Sequence, residues 1–549
     1  MADRIHVCVA WPYANYLLHV GQIAGAYLPA DIFARYHRLA GNEVAMVSGS
    51  DCHGTPITVT ADREGIEPRD VVERYHAKIV ETWERLGISF DCYTTTLTEN
   101  HYAATQEFFL CLLDKDLLFK KTQDQFFDPE AERFLPDRYV EGTCPKCGYG
   151  EARGDQCDNC GSQLDATDLI NPKSRFSGAT PELRESEHFF LRLSAFQDQL
   201  TEWVSKQAHW RRNVQNTTLG TLNEGLPDRA ITRDISWGVP IPVEGFESKR
   251  IYVWFDAVIG YLSATREWAQ QQGDPNAWKK FWEGDKSKSY YFIGKDNIPF
   301  HTIIWPAMLM GFEGLNLPYD VPANQYVNFS AGQKQSKSKG TGTWVLNLLD
   351  VYDADVVRFY LTQILPETSD SEFREDEMIR ANNDILISTW GNLANRVISM
   401  VHRNFGGTVP AHGELSPESA AILAEAARAF DTVGAEYAGV RLRNGLQESL
   451  KLAQMGNKYL DDRAPWKAVK ADLPHAAETL ATALSVVNAL KVLLNPILPF
   501  STETLHGLLG QPGTISDQGW AFQRIDPGTL LAEPKPLYRK LDALVEATA

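Results

Sequence analysis

The 549-residue chain is 44% hydrophobic and 23% charged, with 14 Trp, 20 Tyr and 25 Phe. That is ample apolar material for two to four packed domains, and it excludes a disordered or low-complexity polymer. A formal net charge of -18 excludes a surface coated in basic patches, but phosphate binding needs only a local one; "SKQAHWRRN" (205–213) and "RLRNGLQESLK" (441–451) are candidates.

The chain begins "MADRIHVCVAWPYANYLLHVG", without the basic flank and unbroken apolar stretch of a signal peptide. No window approaches the roughly 18 consecutive apolar residues of a membrane helix. The expected location is cytoplasmic, with no membrane partner. "IHVCVA" (5–10) predicts a buried strand, the loop "WPYANYLL" follows, and a helical stretch runs from about Val20 to Leu39. Gly41-Asn42 stops the helix, and "EVAMVSG" predicts a second buried strand. Strand, crossover helix and strand in close succession form a βαβ unit, expected to be parallel and right-handed.

Residues of about 116 to 248 carry many short polar segments and read as an inserted domain. Cys8, Cys52, Cys92 and Cys111 are scattered and read as free thiols, whereas Cys144, Cys147, Cys157 and Cys160 form CxxC, nine residues, CxxC. Each pair is followed by glycine, which allows the tight turn that aims two sulfurs at one point. Four thiolates bind zinc tetrahedrally and leave no open position, so one structural Zn2+ per chain is expected. A disulfide pair or redox site is the alternative. Past the insertion, "RIYVWFDAVIGYL" and "SYYFIGKDNIPFHTIIWPAML" each predict a strand running into a helix.

"GQKQSKSKGTG" (332–342) sets Lys334, Lys337 and Lys339 among serines and glycines with no aliphatic side chain. It reads as a mobile basic loop, either a solvated linker or a phosphate contact. From about residue 385, "NDILISTWGNLANRVISMVHRNF" and the segments Pro417 to Gly434, Leu442 to Leu460 and Ala476 to Leu494 have helical periodicity, separated by breaks such as "GGTVPAHGELSPES". They predict an all-α C-terminal domain.

In an open parallel sheet, ligands bind at the carboxyl ends of the strands. The residues expected there are Trp11, Tyr13, Asn15 and His19 after the first strand, and Ser48, Asp51 and His53 after the second. Trp254 and Asp256 follow the third, and Lys295 and Asp296 the fourth. Neither G-x-G-x-x-G nor a Walker loop occurs. Instead His19-Val20-Gly21-Gln22 opens the crossover helix, where unpaired amides attract anions and Gly21 removes the side chain where a nucleotide must lie close.

"HVGQ" and "KQSKS" resemble, in that order and on the expected sheet, the HIGH and KMSKS signatures of class I aminoacyl-tRNA synthetases. "AWPYAN", "SGSDCHGTPI", "YVWFDAVIGYL", "FIGKDNIPFHTIIWPAML", the knuckles and "LDDRAPW" are similar to blocks of the methionyl-tRNA synthetase family, spanning roughly residues 5 to 470. That resemblance implies an α/β fold: a Rossmann-type parallel-sheet core in two halves (1–115 and 249–325) around a connective insertion with the zinc knuckle (116–248). A stem-contact segment with the lysine loop (326–385) and an all-α anticodon-binding bundle (386–549) follow. It implies catalytic roles for His19, Gln22, Lys334 and Lys337, and ATP contacts from these and from Gly21, Asp296 and Ser336. Methionine would lie among Tyr13, Asp51, Trp254, Ala257, Tyr261, Phe300, His301 and Trp305, and the anticodon against Asn392, Arg396 and Trp466. Mg2+ would come with ATP. The partners implied are L-methionine, ATP and elongator and initiator tRNA(Met). The absence of an added C-terminal dimerisation module implies a monomer. Gln22 stands where the family has the second histidine of HIGH, Gln335 where it has the methionine of KMSKS, Tyr16 where glycine is usual and Val258 where proline is frequent.

Four other readings compete. An adenylyltransferase without tRNA would not need the helical domain. A Leu, Ile or Val enzyme would carry a much larger editing insertion, and a cysteine enzyme would keep its zinc in the pocket. A zinc-ribbon RNA-binding protein leaves the strand-end residues unexplained.

Overall fold

The first apolar run becomes the central strand of a parallel sheet. The computed structural model describes residues 3–154, 157, 159–162, 164–284, 286–329, 333–334 and 343–542. Strand β1 (Arg4–Val9) pairs with β2 (Glu43–Ser50), and β2 with β3 (Cys92–Thr95). Between β1 and β2 a helical turn at Val20–Gln22 passes through a π-helical segment (Ile23–Tyr27) into α1 (Leu28–Leu39) without interruption. The inserted segment follows. Its long antiparallel pair, β4 (Leu118–Asp128) and β6 (Glu182–Leu191), flanks a small three-stranded sheet with β5 (Val140–Thr143) at its centre, just before the first cysteine. The chain then returns to the first sheet with β7 (Ser287–Gly294) and β8 (Ala323–Asn324). The five-stranded order is β8-β7-β1-β2-β3, every pair parallel. β1 and β7 are buried along most of their length, so they read as unbroken apolar runs.

One expected element differs. "RIYVWFDAVIGYL" yields only a two-residue strand, Arg250–Ile251, which pairs antiparallel with Thr232–Arg233 and stands outside the parallel sheet. Helix α2 (Val253–Gln271) starts almost at once, so Trp254 and Asp256 sit in its first turn rather than at a sheet edge. The apolar residues of the segment recur at helical spacing against the sheet, and burial of that helix face outweighs the β preference of Ile, Tyr and Val.

Helix α3 (Ala354–Gln363) leads to the C-terminal helices: α4 (Asn392–Phe405), α5 (Pro417–Ala438), α6 (Leu442–Arg463), α7 (Pro465–Ala471) and α8 (Leu473–Leu494). α8 is long and apolar enough to cross a membrane by length and composition alone, yet its apolar window is 94% buried inside the molecule. It is the core helix of the bundle, and α5, α6 and α7 pack around it.

A buried guanidinium joins the bundle to the sheet domain. Arg358 of α3, fully buried, donates from Nη2 to Asp31 Oδ2 of α1 at 2.6 Å and from Nε to the Ile497 carbonyl at 2.7 Å. It also reaches the carbonyls of Pro496, Leu86 and Gly87. Burial pushes the Asp31 carboxyl up, but Arg35, Arg358 and Ser89 overcome it and hold the group well below the usual carboxylate range. Removing one partner of such a pair strands the other charge. Arg358→Ala is expected to destabilise the protein by about 3–5 kcal/mol, seen as a lower denaturation midpoint. An unchanged midpoint would show that the contact holds nothing together.

Candidate active site

The carboxyl ends of β1, β2 and β7 and the first turns of α2 enclose a cleft of about 400 Å³. Tyr13, His19, Gly21, Gln22, Asp51, Trp254, Ala257, Tyr261, Asp296, Phe300 and His301 all line it. Most of the side chains named from the sequence for ATP and methionine therefore converge on one cavity, although they come from segments hundreds of residues apart. Trp305 is not among the lining residues. It is fully buried behind the wall and donates from Nε1 to the Tyr291 hydroxyl at 3.1 Å. Trp11, Arg138, Asn297, Gln325, Tyr326 and Val327 also line the cleft. Trp11 had a legible signal at the end of the first strand, whereas the others sit in loops, single helical turns and the short strand Val327–Phe329, too short to carry a pattern of their own.

At one end of the cleft the chain enters its crossover helix at His19, the N-cap. The Gln22 side-chain oxygen turns back to accept the His19 backbone N–H at 3.2 Å, which closes the first turn and leaves the carboxamide N–H groups as neutral donors. A Cβ on Gly21 would stand 3.1 Å from Nδ1 of His19, so the glycine gives the imidazole room to lie over the turn. Gly54 serves Tyr13 likewise: a Cβ there would fall 2.1 Å from its ring.

The lysine loop starts and finishes at this helix entry. Val327–Phe329 pairs antiparallel with Gln333–Lys334, with Lys334 opposite Asn328. Beyond the loop, Val20 donates its N–H to the Thr343 carbonyl at 3.1 Å, and His19 bridges to Trp344. The Lys334 side chain, Ser336 and Lys337 lie outside the described residues. Asp296 accepts a hydrogen bond from the Tyr326 hydroxyl beside the same strand.

The other end is aromatic and closed. The Trp254 and Phe300 rings meet edge to face at 4.6 Å. His301 Nδ1 donates to the Asn297 carbonyl at 2.9 Å, which leaves Nε2 to accept from the Tyr261 hydroxyl at 2.7 Å. Burial lowers the His301 pKa to about 4, so the imidazole is neutral at physiological pH. Such a slot offers ring faces and one neutral polar contact, which suits an unbranched, polarisable side chain. Asp51 sits between the two ends, 4% exposed, with its carboxyl pushed well up by burial and by the nearby Asp256 carboxyl. An incoming ammonium group would relieve both effects.

Two further groups of sequence-named residues come together away from the cleft. The sulfurs of Cys144, Cys147, Cys157 and Cys160 all lie within 4.8 Å of one another, with 4.0 Å for Cys144–Cys160 and 3.6 Å for Cys147–Cys157. Disulfide sulfurs would be about 2.05 Å apart, whereas a tetrahedron with bonds of about 2.3 Å has edges near 3.8 Å. Gly148 and Gly161 adopt φ of 76° and 71°, the left-handed turns that fold each knuckle back. On the helical bundle, Asn392 and Arg396 lie one turn apart on α4, and the Arg396 guanidinium stands 5.4 Å from the centre of the Trp466 ring. Trp466 is 39% exposed, and Arg396 Nη2 donates to Asp461 Oδ1 at 3.3 Å.

Comparison with known proteins places this geometry. Residues 5–398 match the family model "tRNA synthetases class I (M)", and residues 409–547 match "Anticodon binding domain of methionyl tRNA ligase". A methionine–tRNA ligase of Dehalococcoides mccartyi is 53% identical over 548 residues, covering 100% of this chain and 99% of the relative. One from Roseiflexus castenholzii is 50% identical over 582 residues, covering 100% and 98%. Among solved structures, Mycobacterium tuberculosis methionyl-tRNA synthetase in complex with methionyl-adenylate superposes with a TM-score of 0.81 at 26% identity, covering 97% of this chain and 99% of that one.

Proposed function

Because the chain belongs to the class I methionine–tRNA ligase family, we infer how its residues divide the work of that reaction. The enzyme activates L-methionine with ATP to methionyl-adenylate, releasing pyrophosphate, and transfers the methionyl group to the 3′ end of tRNA. In the first step the methionine carboxylate attacks the α-phosphate, and negative charge accumulates on five-coordinate phosphorus. No protein nucleophile is needed, only positioning and positive charge.

Asp51 holds the α-ammonium group. Tyr13, Trp254, Ala257, Tyr261, Phe300 and His301 enclose the thioether, and sulfur–ring contacts add about 0.3–1.5 kcal/mol to its burial. Trp305 supports that wall through Tyr291. ATP lies over Gly21 between His19, Gln22 and Asp296, bringing Mg2+ with it, and the loop carrying Lys334, Ser336 and Lys337 covers the phosphates. The observation that carries this reading is the meeting of His19, Gln22, Asp51 and the aromatic slot in one cleft. The test is ATP–pyrophosphate exchange with each of the twenty amino acids. Exchange with methionine alone is expected, and comparable exchange with another amino acid would overturn the assignment of the slot.

The domains divide as core (1–115 and 249–325), insertion (116–248), stem-contact segment (326–385) and anticodon bundle (386–549). The RNA partners are elongator and initiator tRNA(Met), read by Asn392, Arg396 and Trp466. The protein works as a cytoplasmic monomer.

Cys144, Cys147, Cys157 and Cys160 hold one structural Zn2+, and the sulfur spacing supports this. Because structural zinc contributes directly to folding, Cys157→Ser is expected to lower the metal content below one ion per chain and to make the insertion easier to cleave by protease. Purified parent protein without zinc, its knuckle thiols freely titratable, would refute the metal assignment.

A further inference from the structure

Behind the wall of the cleft, next to the lining residues Asp51, Trp254 and Ala257, lies a buried pair that the reading above leaves without a role. His53 and Asp256 are 2% and 0% exposed, and Nδ1 of His53 lies 2.6 Å from Oδ2 of Asp256. The same histidine donates its backbone N–H to Oδ1 of Asp51 at 3.2 Å. One residue therefore holds two carboxyl groups, one through its main chain and one through its ring. Asp256 lies on α2 between Trp254 and Ala257, which line the aromatic end of the cleft. Asp51 follows β2, on the other half of the split core. The ring of His53 is confined by Tyr102, whose hydroxyl lies 3.3 Å from Nε2, and by the Trp237 ring at 6.2 Å. Trp237 in turn donates to the Cys52 carbonyl at 2.6 Å, fixing the main chain between Asp51 and His53.

Burial pushes both carboxyl groups well up, and the nearby Asp256 carboxyl raises Asp51 further. Burial also disfavours an imidazolium at His53. The pair is thus joined by a hydrogen bond rather than by two full charges.

We propose that the His53–Asp256 bond is a positioning clasp: it ties α2 to the loop after β2 and sets Asp51 at the distance from the aromatic slot where it meets the α-ammonium group of methionine. The proposal rests on the assignment of Asp51 to that ammonium group. His53 and Asp256 act through Asp51 and touch no substrate themselves. A neutral hydrogen bond held in place is worth a few-fold to about tenfold in affinity, so loss of the clasp should weaken the amino-group contact by up to about tenfold. It should leave the nucleotide and thioether contacts alone.

The test compares two inhibitors, the sulfamoyl analogue of methionyl-adenylate and the same molecule without its α-amino group. The ratio of their affinities measures the amino contact alone. In the parent enzyme the amino compound should bind much more tightly. In Asp256→Ala that ratio should fall several-fold, up to about tenfold, while the deamino compound binds parent and variant alike. Asp256→Asn, whose carboxamide can bond to either nitrogen tautomer of His53, should restore most of the ratio. His53→Phe keeps the ring volume and the backbone N–H, and should reproduce the loss if Asp256→Ala does not fold. Equal weakening of both compounds would overturn the proposal, because the pair would then only shape the wall. So would an Asn variant as defective as the Ala variant, because the charge of Asp256 would then act directly. A parent enzyme that does not distinguish the two compounds would refute the Asp51 assignment itself, and the clasp with it.

Discussion

Lys337→Ala is expected to slow methionine activation by roughly two to three orders of magnitude, the range seen when one preorganised donor to a developing charge is removed. The wall of the cleft explains why so much would fall on one side chain. Among the described lining residues, Asp51 and Asp296 are acidic, and Arg138 is the only lysine or arginine. The wall thus offers little positive charge, and the lysine loop is the segment that can add more at the attacked phosphate. The lysine loop is anchored on both sides for this. Lys334 pairs with Asn328, next to the cleft residue Val327, and Thr343 is bonded to Val20 at the crossover-helix entry. Lys337 is three residues beyond Lys334, and three residues of extended chain span at most about 10 Å. Because the lysine acts on charge that appears in the transition state, kcat should fall while methionine affinity stays near that of the parent. Pyrophosphate exchange beside equilibrium methionine binding is the measurement. Undiminished exchange would return the loop to the status of a solvated linker.

Trp466→Ala should lose one to two orders of magnitude in tRNA charging while leaving activation near the parent value, given that stacking on an unpaired base contributes roughly 1–3 kcal/mol. The structure supports a reading role. Trp466, on the first turn of α7, keeps 39% of its surface exposed, an unusual state for a large aromatic beside an apolar bundle. Arg396 stands over its ring and is itself held by Asp461, so ring and guanidinium form a prepared surface. Asn392 lies one turn away on the same helix as Arg396, where it can meet the edge of a stacked base. Charging and pyrophosphate exchange are to be measured on one preparation. Equal loss in both would show that Trp466 serves the fold, and the anticodon assignment would fail.

Much of this was legible in the sequence because it depends on short-range pattern. The unbroken apolar runs at β1 and β2, with a helix-length stretch between them, are a βαβ unit by composition and spacing, and they fold as one. The knuckles are legible for a similar reason. CxxC followed by glycine fixes each sulfur pair through a local turn, and two such turns close enough in sequence can meet at one point. The helical periodicity of 417–434 and 442–460 likewise marks real helices, extended by a few residues where end effects escape any pattern.

Other features depend on long-range packing and carry no local signal. β3 and β8 are four and two residues long, too short for alternation to show, and they exist because the sheet edges beside them need partners. "RIYVWFDA" has strand composition but starts a helix, since the sheet already had its neighbours and the apolar stripe had a face to cover. Trp305 shares its segment with Phe300 and His301 but points behind the wall, where Tyr291 offers its indole a partner. Arg358 sits in the interior although its residue type belongs at the surface, because Asp31 and carbonyls from two separate segments surround it there. Local pattern in the chain sets which elements form and which chemical groups are available. Which groups meet depended on long-range packing, because a contact such as Asp31 with Arg358 or His53 with Asp256 joins residues hundreds of positions apart, and the free energy that selects it comes from burying whole faces rather than from any local preference.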